Sequence, residues 1–384
     1  MKVAVLGYGT VGAGVYSMLS DAPGMEAGPV LVRPGKAVDS FMVSDAALIF
    51  GDPTVDAVVE TLGGLDPAYS YGMRALEAGK HFITANKAMV AAHGLELAAL
   101  AREKGAAFLF SAACGGGVPF LHNLALSAET DRIEAVSGIL NGTTNYMLDA
   151  MQRRSLSYGD ALREAQSLGY AESDPTADVS GLDALRKMQL ACAVAFGVLP
   201  QSGMLCEGME HFTAADVEDI QSRGLVCRLM ARGSRAGESV SAYVEPVLFP
   251  RAAPESSVFT NNNMARYTGK RCGSIVLMGQ GAGRFPTASA VLRDLSAAQQ
   301  GARSMFPENC RAAEADNREA VHSYYIRTGG FAAVRLPLRS VLAQGEVVRA
   351  VTEPMSAEKM HALAQNIRKD GNDLFFAALE EELC

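Results

Sequence analysis

Lys2-Val-Ala-Val-Leu6 is an apolar strand that runs straight into Gly7-Tyr-Gly9-Thr10-Val11-Gly12 and then a helical stretch, AGVYSMLSD. No other string in the chain restricts its fold as strongly. A strand, a glycine turn and a helix in immediate succession are the start of a crossover unit, and crossover units build parallel sheets. The glycines permit the tight turn and let a pyrophosphate approach backbone N–H groups at the helix N-terminus. G-x-G-x-x-G alone is a weak signal, and a purely structural turn competes with it. Directly after a strand that starts at residue 2, it points to dinucleotide binding.

The same alternation continues. Pro29–Arg33, Asp56–Thr61 and His81–Thr84 read as further strands, AYSYGMRALEAG and AAHGLELAALAREKG as helices, and AAFLFSA as another strand. An NAD-binding chain usually carries Asp or Glu at the end of its second strand, where it grips the ribose 2′-hydroxyl. This chain has Arg33 there, with Lys36 close behind. A guanidinium suits a 2′-phosphate, which favours NADP; NAD stays possible if Arg33 is a solvated strand end and Asp39 serves the ribose. Ala85-Asn86-Lys87 follows the His81 strand at its carboxyl end, the side on which open parallel sheets bind ligands. Cys114-Gly-Gly-Gly-Val-Pro119 reads either as a loop whose backbone approaches a ligand or ion, or as a hinge between domains.

Around Leu124 the pattern changes. Arg132–Leu140 is a strand entering Asn141-Gly-Thr-Thr-Asn-Tyr146, whose short hydroxyl and amide side chains make a hydrogen-bonding cradle. Gly169–Lys187 (GYAESDPTADVSGLDALRK) then packs Glu172, Asp174, Asp178 and Asp183 close to Lys187. Carboxylates this dense repel one another unless they face water or are held for a purpose. Asp183 and Lys187, four apart in a helical segment, share one helix face. Acids with a lysine among them suit a small polar substrate that carries an amino group, the lysine being left for proton or carbonyl chemistry. A solvated loop leading into an ordinary helix is the bland alternative. Residues 213–285 add strands (SVSAYVEPVLF, GSIVLMG) and the loop Gly279–Gly283, and Pro286 sits near the first turn of a helix. The tail reads strand, irregular stretch, strand, helix, strand, a small α+β unit of its own over 318–384.

At 384 residues, 49% apolar and 20% charged, the chain is expected to be soluble and long enough for two or three domains. A net charge of −8 leaves no nucleic-acid footprint, and no apolar run is long enough to span a membrane. With a strand starting at residue 2, no signal peptide is expected. Seven scattered cysteines without a C-x-x-C pair read as reduced thiols, so the cytoplasm is expected.

Five strings, in order along the chain, together resemble the homoserine dehydrogenase family. They are GYGTVGAGV at 7–15, ITANKA at 83–88, GILNGTTNYML at 138–148, GYAESDPTADVSGLDALRK at 169–187 and GAGRFPTASAV at 281–291. The third and fourth are highly specific; the first is not. The resemblance implies an α/β chain with a Rossmann-like dinucleotide-binding domain over 1–125, completed by about 285–312. An α+β substrate and dimerisation domain would occupy 126–284. The implied reaction interconverts L-homoserine and L-aspartate 4-semialdehyde with NAD(P)(H), in threonine and methionine biosynthesis, and the implied assembly is a homodimer through the middle domain's sheet.

Carried onto this sequence, the resemblance makes Glu172 and Asp183 substrate holders, with Glu172 facing the substrate ammonium. Lys187 and Lys87 become the functional lysines, and Gly142, Thr144 and Tyr170 line the substrate pocket. Gly7, Gly9, Thr10, Val11 and Gly12 receive the pyrophosphate, with Gly63, Asn86, Lys87, Gly283 and Thr287 near the cofactor. During reduction, charge grows on the aldehyde oxygen, and an ammonium aimed there stabilises it and supplies the proton. Two lysines at one site are expected to depress each other's pKa, so that a neutral lysine accepts the hydroxyl proton in oxidation. Lys187 is the candidate acid and base, and Lys87 the group that positions substrate and tunes it.

The chain departs from the family in three places. The family string EAAVGGGIP is SAACGGGVP here, with Ser111 in place of a carboxylate, so the monovalent cation that family members bind near this loop stays open. Short linkers around Pro29 and between Arg33 and Asp39 trim the adenosine side. The tail lies where the family often has an ACT regulatory domain of βαββαβ order, and its elements read as an eroded one. Two other functions compete: a dehydrogenase of another amino-acid semialdehyde, and a catalytically inactive NADP-binding sensor or subunit. Both lysines and both acids speak against the second.

Overall fold

The computed structural model describes residues 1–380 apart from Val334; Cys384 and the end of the expected tail strand lie outside the described residues. Strands β1 (Lys2–Leu6), β2 (Glu26–Leu31), β3 (Met42–Val43), β4 (Ala57–Glu60), β5 (His81–Thr84) and β6 (Phe108–Leu109) form one sheet. Its order is β3-β2-β1-β4-β5-β6, and every pairing is parallel. Val3 to Leu6 and Val58 to Val59 are fully buried, as continuous apolar strands covered on both faces must be. The order reverses beside β1, which opens a crevice at the carboxyl ends of β1 and β4. The helix Arg284–Gln299 returns to this layer and packs on Thr10–Leu19; a Cβ on Gly14 would sit 2.9 Å from Arg284 O.

Several element bounds differ from the sequence reading. β2 ends at Leu31, which leaves Arg33 in an exposed turn. Lys87 is the first residue of the helix Lys87–Lys104, capped by Asn86, whose Oδ1 accepts the Met89 N–H at 3.1 Å. AAFLFSA yields only the two residues of β6, because the buried Asp294 carboxylate takes the Ser111 N–H at 2.7 Å and the chain turns there.

The second sheet has ten strands among the described residues. Its outer strand Gly273–Gln280 pairs with Asn262–Gly269, which pairs with Ile133–Ile139, then Leu225–Ala236 and Ser239–Pro250. Leu225–Ala236 was not legible as a strand, since Arg228 interrupts its apolar pattern. The Arg228 side chain is nonetheless buried, its guanidinium donating to Glu255 O, Cys227 O and Ser256 O.

The tail strands Tyr324–Gly329, Leu338–Ala343, Val347–Thr352 and Leu374–Leu379, with the single helical turn Gly330–Ala333 and the helix Ala357–Lys369, follow a βαββαβ order. A helical turn and a strand thus occupy the stretch read as irregular. The tail is joined to the middle region through the sheet. Its last strand pairs in parallel with Ser239–Pro250 (Val247 with Ala378, Leu248 with Leu379), so the sheet runs unbroken from middle to tail. No helix of the described residues is long and apolar enough to cross a membrane.

Candidate active site

A cleft of about 750 Å³ opens between the two layers, and Lys87, Asn141, Asp178, Asp183 and Lys187 are in its wall. Asp183 and Lys187 belong to the helix Leu182–Phe196, whose remaining faces are almost wholly buried, so the polar pair is held on a rigid element. Asp183 Oδ2 lies 2.7 Å from Lys187 Nζ, and Asp183 Oδ1 lies 3.0 Å from Lys87 Nζ. One carboxylate therefore bridges both lysines. Lys187 also donates to Leu140 O at 2.6 Å, and Asn141 Nδ2 donates to Asp183 Oδ2 at 3.0 Å and to Asp178 Oδ1 at 2.7 Å.

This geometry corrects the expected electrostatics of the lysines. Burial alone would raise the Asp183 pKa, but Lys187 and Lys87, with hydrogen bonds from Lys187 and Asn141, outweigh burial and hold it well below the usual carboxylate range. Burial would likewise lower Lys187, yet the adjoining Asp183 carboxylate raises it above the usual lysine value. Lys187 is raised rather than depressed, because the Asp183 anion sits between it and Lys87. Burial pushes the nearby Cys114 thiol up to about 12, so it is no nucleophile at neutral pH.

The string NGTTNY assigns each side chain a separate task. Asn141 caps the helix Gly142–Arg154, its Oδ1 accepting the Thr144 N–H at 2.9 Å. Thr143 Oγ1 donates to Tyr170 O at 2.6 Å and to Asp178 Oδ2 at 3.0 Å. Thr144 is buried and donates to Asn141 Oδ1 at 2.9 Å, behind the cleft rather than in its wall. Asn145 Nδ2 donates to Val258 O, Thr260 O and Asn262 O, and so holds the loop that brings Asn261 to the cleft. Glu172 and Arg186 are exposed in the cleft wall and make no ion pair among the described residues.

The crevice at β1 is built from backbone. A Cβ on Gly12 would collide with Gly7 O, so only glycine lets the helix seat on the strand, while a Cβ on Gly9 would meet nothing within 4 Å. The space over Gly9, at the N-terminus of Thr10–Leu19, fits a pyrophosphate. Glu60, fully buried at the end of β4, accepts the Leu62 N–H at 2.6 Å, the Gly63 N–H at 3.3 Å and the Thr84 hydroxyl at 2.5 Å. Asn86 Nδ2 donates to Gly64 O at 2.6 Å, fixing the same loop from the other side. The triple glycine has a packing reason: a Cβ on Gly116 would collide with Gly281 O. Ser111 is buried against Asp294, donating its hydroxyl at 2.6 Å, and burial raises the Asp294 carboxyl to about 7. Arg33 and Lys36 are exposed beyond β2 and unpaired among the described residues. No group of three or more His, Cys, Asp or Glu among the described residues is arranged to hold a metal ion.

The sequence profile of homoserine dehydrogenase matches residues 119–296, and that of the homoserine dehydrogenase NAD-binding domain matches 7–111. Over 313 residues the chain is 37% identical to the homoserine dehydrogenase of Synechocystis sp., covering 77% of this chain and 72% of that one. With the enzyme of Corynebacterium glutamicum it shares 38% over 314 residues, covering 76% and 70%. The chain belongs to the homoserine dehydrogenase family. A solved homoserine dehydrogenase from Thiobacillus denitrificans superposes with a TM-score of 0.87 at 29% identity, over 99% of this chain and 98% of that one. The activity is that of an oxidoreductase of amino-acid biosynthesis, and the parallel-sheet domain is its NAD(P)-binding domain.

In this homoserine dehydrogenase, Lys87, Gly142, Tyr170, Glu172, Asp183, Lys187, Gly283 and Thr287 line one cleft. Gly7, Gly9, Thr10, Val11, Gly12 and Gly63 follow the carboxyl edge of the parallel sheet outside that wall, and Asn86 lies behind it. Asn141, Thr143 and Arg186 are cleft residues to which the sequence reading gave no role, and Asp178 was named there only among the clustered acids. All four stood inside strings already marked as unusual. Asn261 carried no local signal, because its place depends on Asn145.

Proposed function

We propose that this homoserine dehydrogenase interconverts L-homoserine and L-aspartate 4-semialdehyde with NADP, and that Lys187 is its acid and base. The supporting observation is the Lys187–Asp183–Lys87 bridge in the cleft wall. When bound, the nicotinamide supplies the hydride acceptor and donor. The Lys187 ammonium has three N–H donors, of which Asp183 and Leu140 O take two, leaving one for the substrate oxygen. In reduction it stabilises the charge on that oxygen and hands over the proton, while Asp183 balances its charge and Lys87 orients Asp183. In oxidation the amine must be neutral. Since Asp183 holds its pKa up, oxidation accelerates as pH rises towards that raised value.

Glu172 takes the substrate α-ammonium and Arg186 its α-carboxylate, with Gly142, Tyr170 and Thr144 shaping the pocket directly or through Asn141. Gly7, Gly9, Thr10, Val11 and Gly12 hold the pyrophosphate; Gly63, Asn86, Gly283 and Thr287 border the rest of the cofactor, and Arg33 meets the 2′-phosphate. The domain divisions are 1–125 with 285–312, 126–284 and 318–384. The βαββαβ order of the tail supports a reduced ACT-type unit, its first helix cut to one turn. The chain works in the cytoplasm as a homodimer; the terminal strand Gly273–Gln280, with Val276 and Met278 exposed, supports pairing through the middle sheet. The test is purified protein with L-homoserine and either NADP or NAD at alkaline pH, followed by absorbance. Faster reduction of NADP is expected, with Arg33→Ala lowering the NADP-to-NAD ratio about tenfold. Faster turnover with NAD discards the Arg33 role, and no turnover in protein that binds cofactor discards the substrate.

A further inference from the structure

Between Asp178 and Asp183 the chain makes a tight turn, Gly181 N donating to Asp178 O at 3.1 Å. That turn rests on residues 205–209. Met209 N donates to Val179 O at 2.9 Å, Cys206 Sγ donates to Ser180 O at 3.1 Å, and a Cβ on Gly208 would collide with Val179 O. The platform is stitched to the middle sheet, with Leu205 and Cys206 paired to Tyr243 and Val244 and Glu207 N donating to Val244 O at 2.8 Å. Its one acidic side chain on this stretch before Glu210 points to the tail. Glu207, 8% exposed, receives Arg368 Nη1 at 2.9 Å and Nη2 at 2.7 Å. Arg368 stands in the last turn of the tail helix and is itself fixed on Leu374 O, from Nε at 3.2 Å and Nη2 at 2.7 Å.

We infer that Arg368 is a positioning residue for two acids of the cleft wall: by clamping Glu207, the tail helix sets the platform under Val179–Gly181 and with it the placement of Asp178 and Asp183. Two hydrogen bonds and one close approach leave the turn no slack against the platform, so a displaced Glu207 displaces the turn. A bidentate guanidinium–carboxylate pair fixes orientation as well as distance, which an ammonium does not. Small misplacements of substrate-holding groups are costly in an enzyme. The tail thereby enters the site without touching the cleft.

The inference rests on homoserine occupying the cleft, and the wild-type assay examines that first. The experiment measures KM for L-homoserine and for NADP in the full chain carrying Arg368→Gln, Arg368→Lys, Glu207→Gln, or the exchanged pair R368E/E207R. Homoserine KM is expected to rise roughly tenfold in the two Gln variants and less in Arg368→Lys, with NADP KM within about twofold and the exchanged pair recovering part of the loss. Arg368→Lys keeps the charge should a Gln variant fail to fold. Homoserine KM at the wild-type value, both KM values rising together, or an exchanged pair no better than the single variants would each overturn the clamp. If the wild type does not consume homoserine, the cleft assignment fails by itself. Hydrogen exchange then decides the clamp: Arg368→Gln must speed exchange in 176–183 and leave Thr10–Leu19 unchanged, and uniform or absent acceleration overturns it.

Discussion

Around Gly7–Gly12 the site consists of backbone: a collision that forbids a Cβ at Gly12 and open space over Gly9. Around Asp183 it consists of side-chain charge, one carboxylate joining Lys187 at 2.7 Å to Lys87 at 3.0 Å. The first needs only residues next to each other in sequence. The second needs three strings brought together: Lys87 after β5, Asn141 before its helix, and Asp183 with Lys187. Shape on the cofactor side is therefore set locally, whereas charge on the substrate side is set by tertiary packing. The two sides should fail in different ways when altered.

Removing the amine at Lys187 gives the sharpest contrast. Lys187→Ala is expected to lose about a thousandfold in turnover while cofactor affinity, measured by fluorescence titration, stays near that of the wild type. Near-normal turnover would remove Lys187 as acid and base. Adding one carbon on the other side should do the reverse. Gly12→Ala forces Gly7 and the first helix apart and is expected to weaken cofactor binding at least roughly tenfold, with the pH dependence of residual turnover unchanged. Unchanged cofactor affinity would show that the glycine turn is only structural.

The smallest effect concerns Asp294, on the helix that returns from the middle region to the cofactor layer. Its carboxyl is raised to about 7 in the fold from an ordinary 3.8, so the folded chain favours the protonated form. That contribution is complete below about pH 4 and is lost as pH rises through about 7. Asp294→Asn keeps the neutral shape and the partnership with Ser111. It should melt a few degrees above the wild type at pH 8, with the difference shrinking as pH falls to 4. A difference independent of pH would show that Asp294 does not titrate in this range.

Much of the parallel-sheet layer was legible because its signals are local. β1 and β4 carry continuous apolar runs, and Gly9 and Asn86 cap the helices that follow β1 and β5. The middle sheet was harder. Arg228 breaks the apolar pattern of Leu225–Ala236, and the carbonyls of Cys227, Glu255 and Ser256, with the Asp149 carboxylate nearby, make its burial tolerable. Leu338–Ala343 was missed because it is a partly exposed edge strand whose hydrophobic alternation is weak. Glu60 gave no sign of its task, which depends on the loop after β4 folding back over it.

The glycine crevice, the family and the residues of the unusual strings were readable from local sequence, since turn geometry, apolar runs and clustered acids act over a few neighbouring positions. The direction in which Lys187 is shifted came instead from long-range packing. A lysine facing a second lysine from another string is raised or depressed according to what lies between them, and for Lys187 that is the Asp183 carboxylate. The tertiary structure also joined the tail to the middle sheet and put Arg368 on Glu207, contacts between segments far apart in sequence that no local pattern encodes.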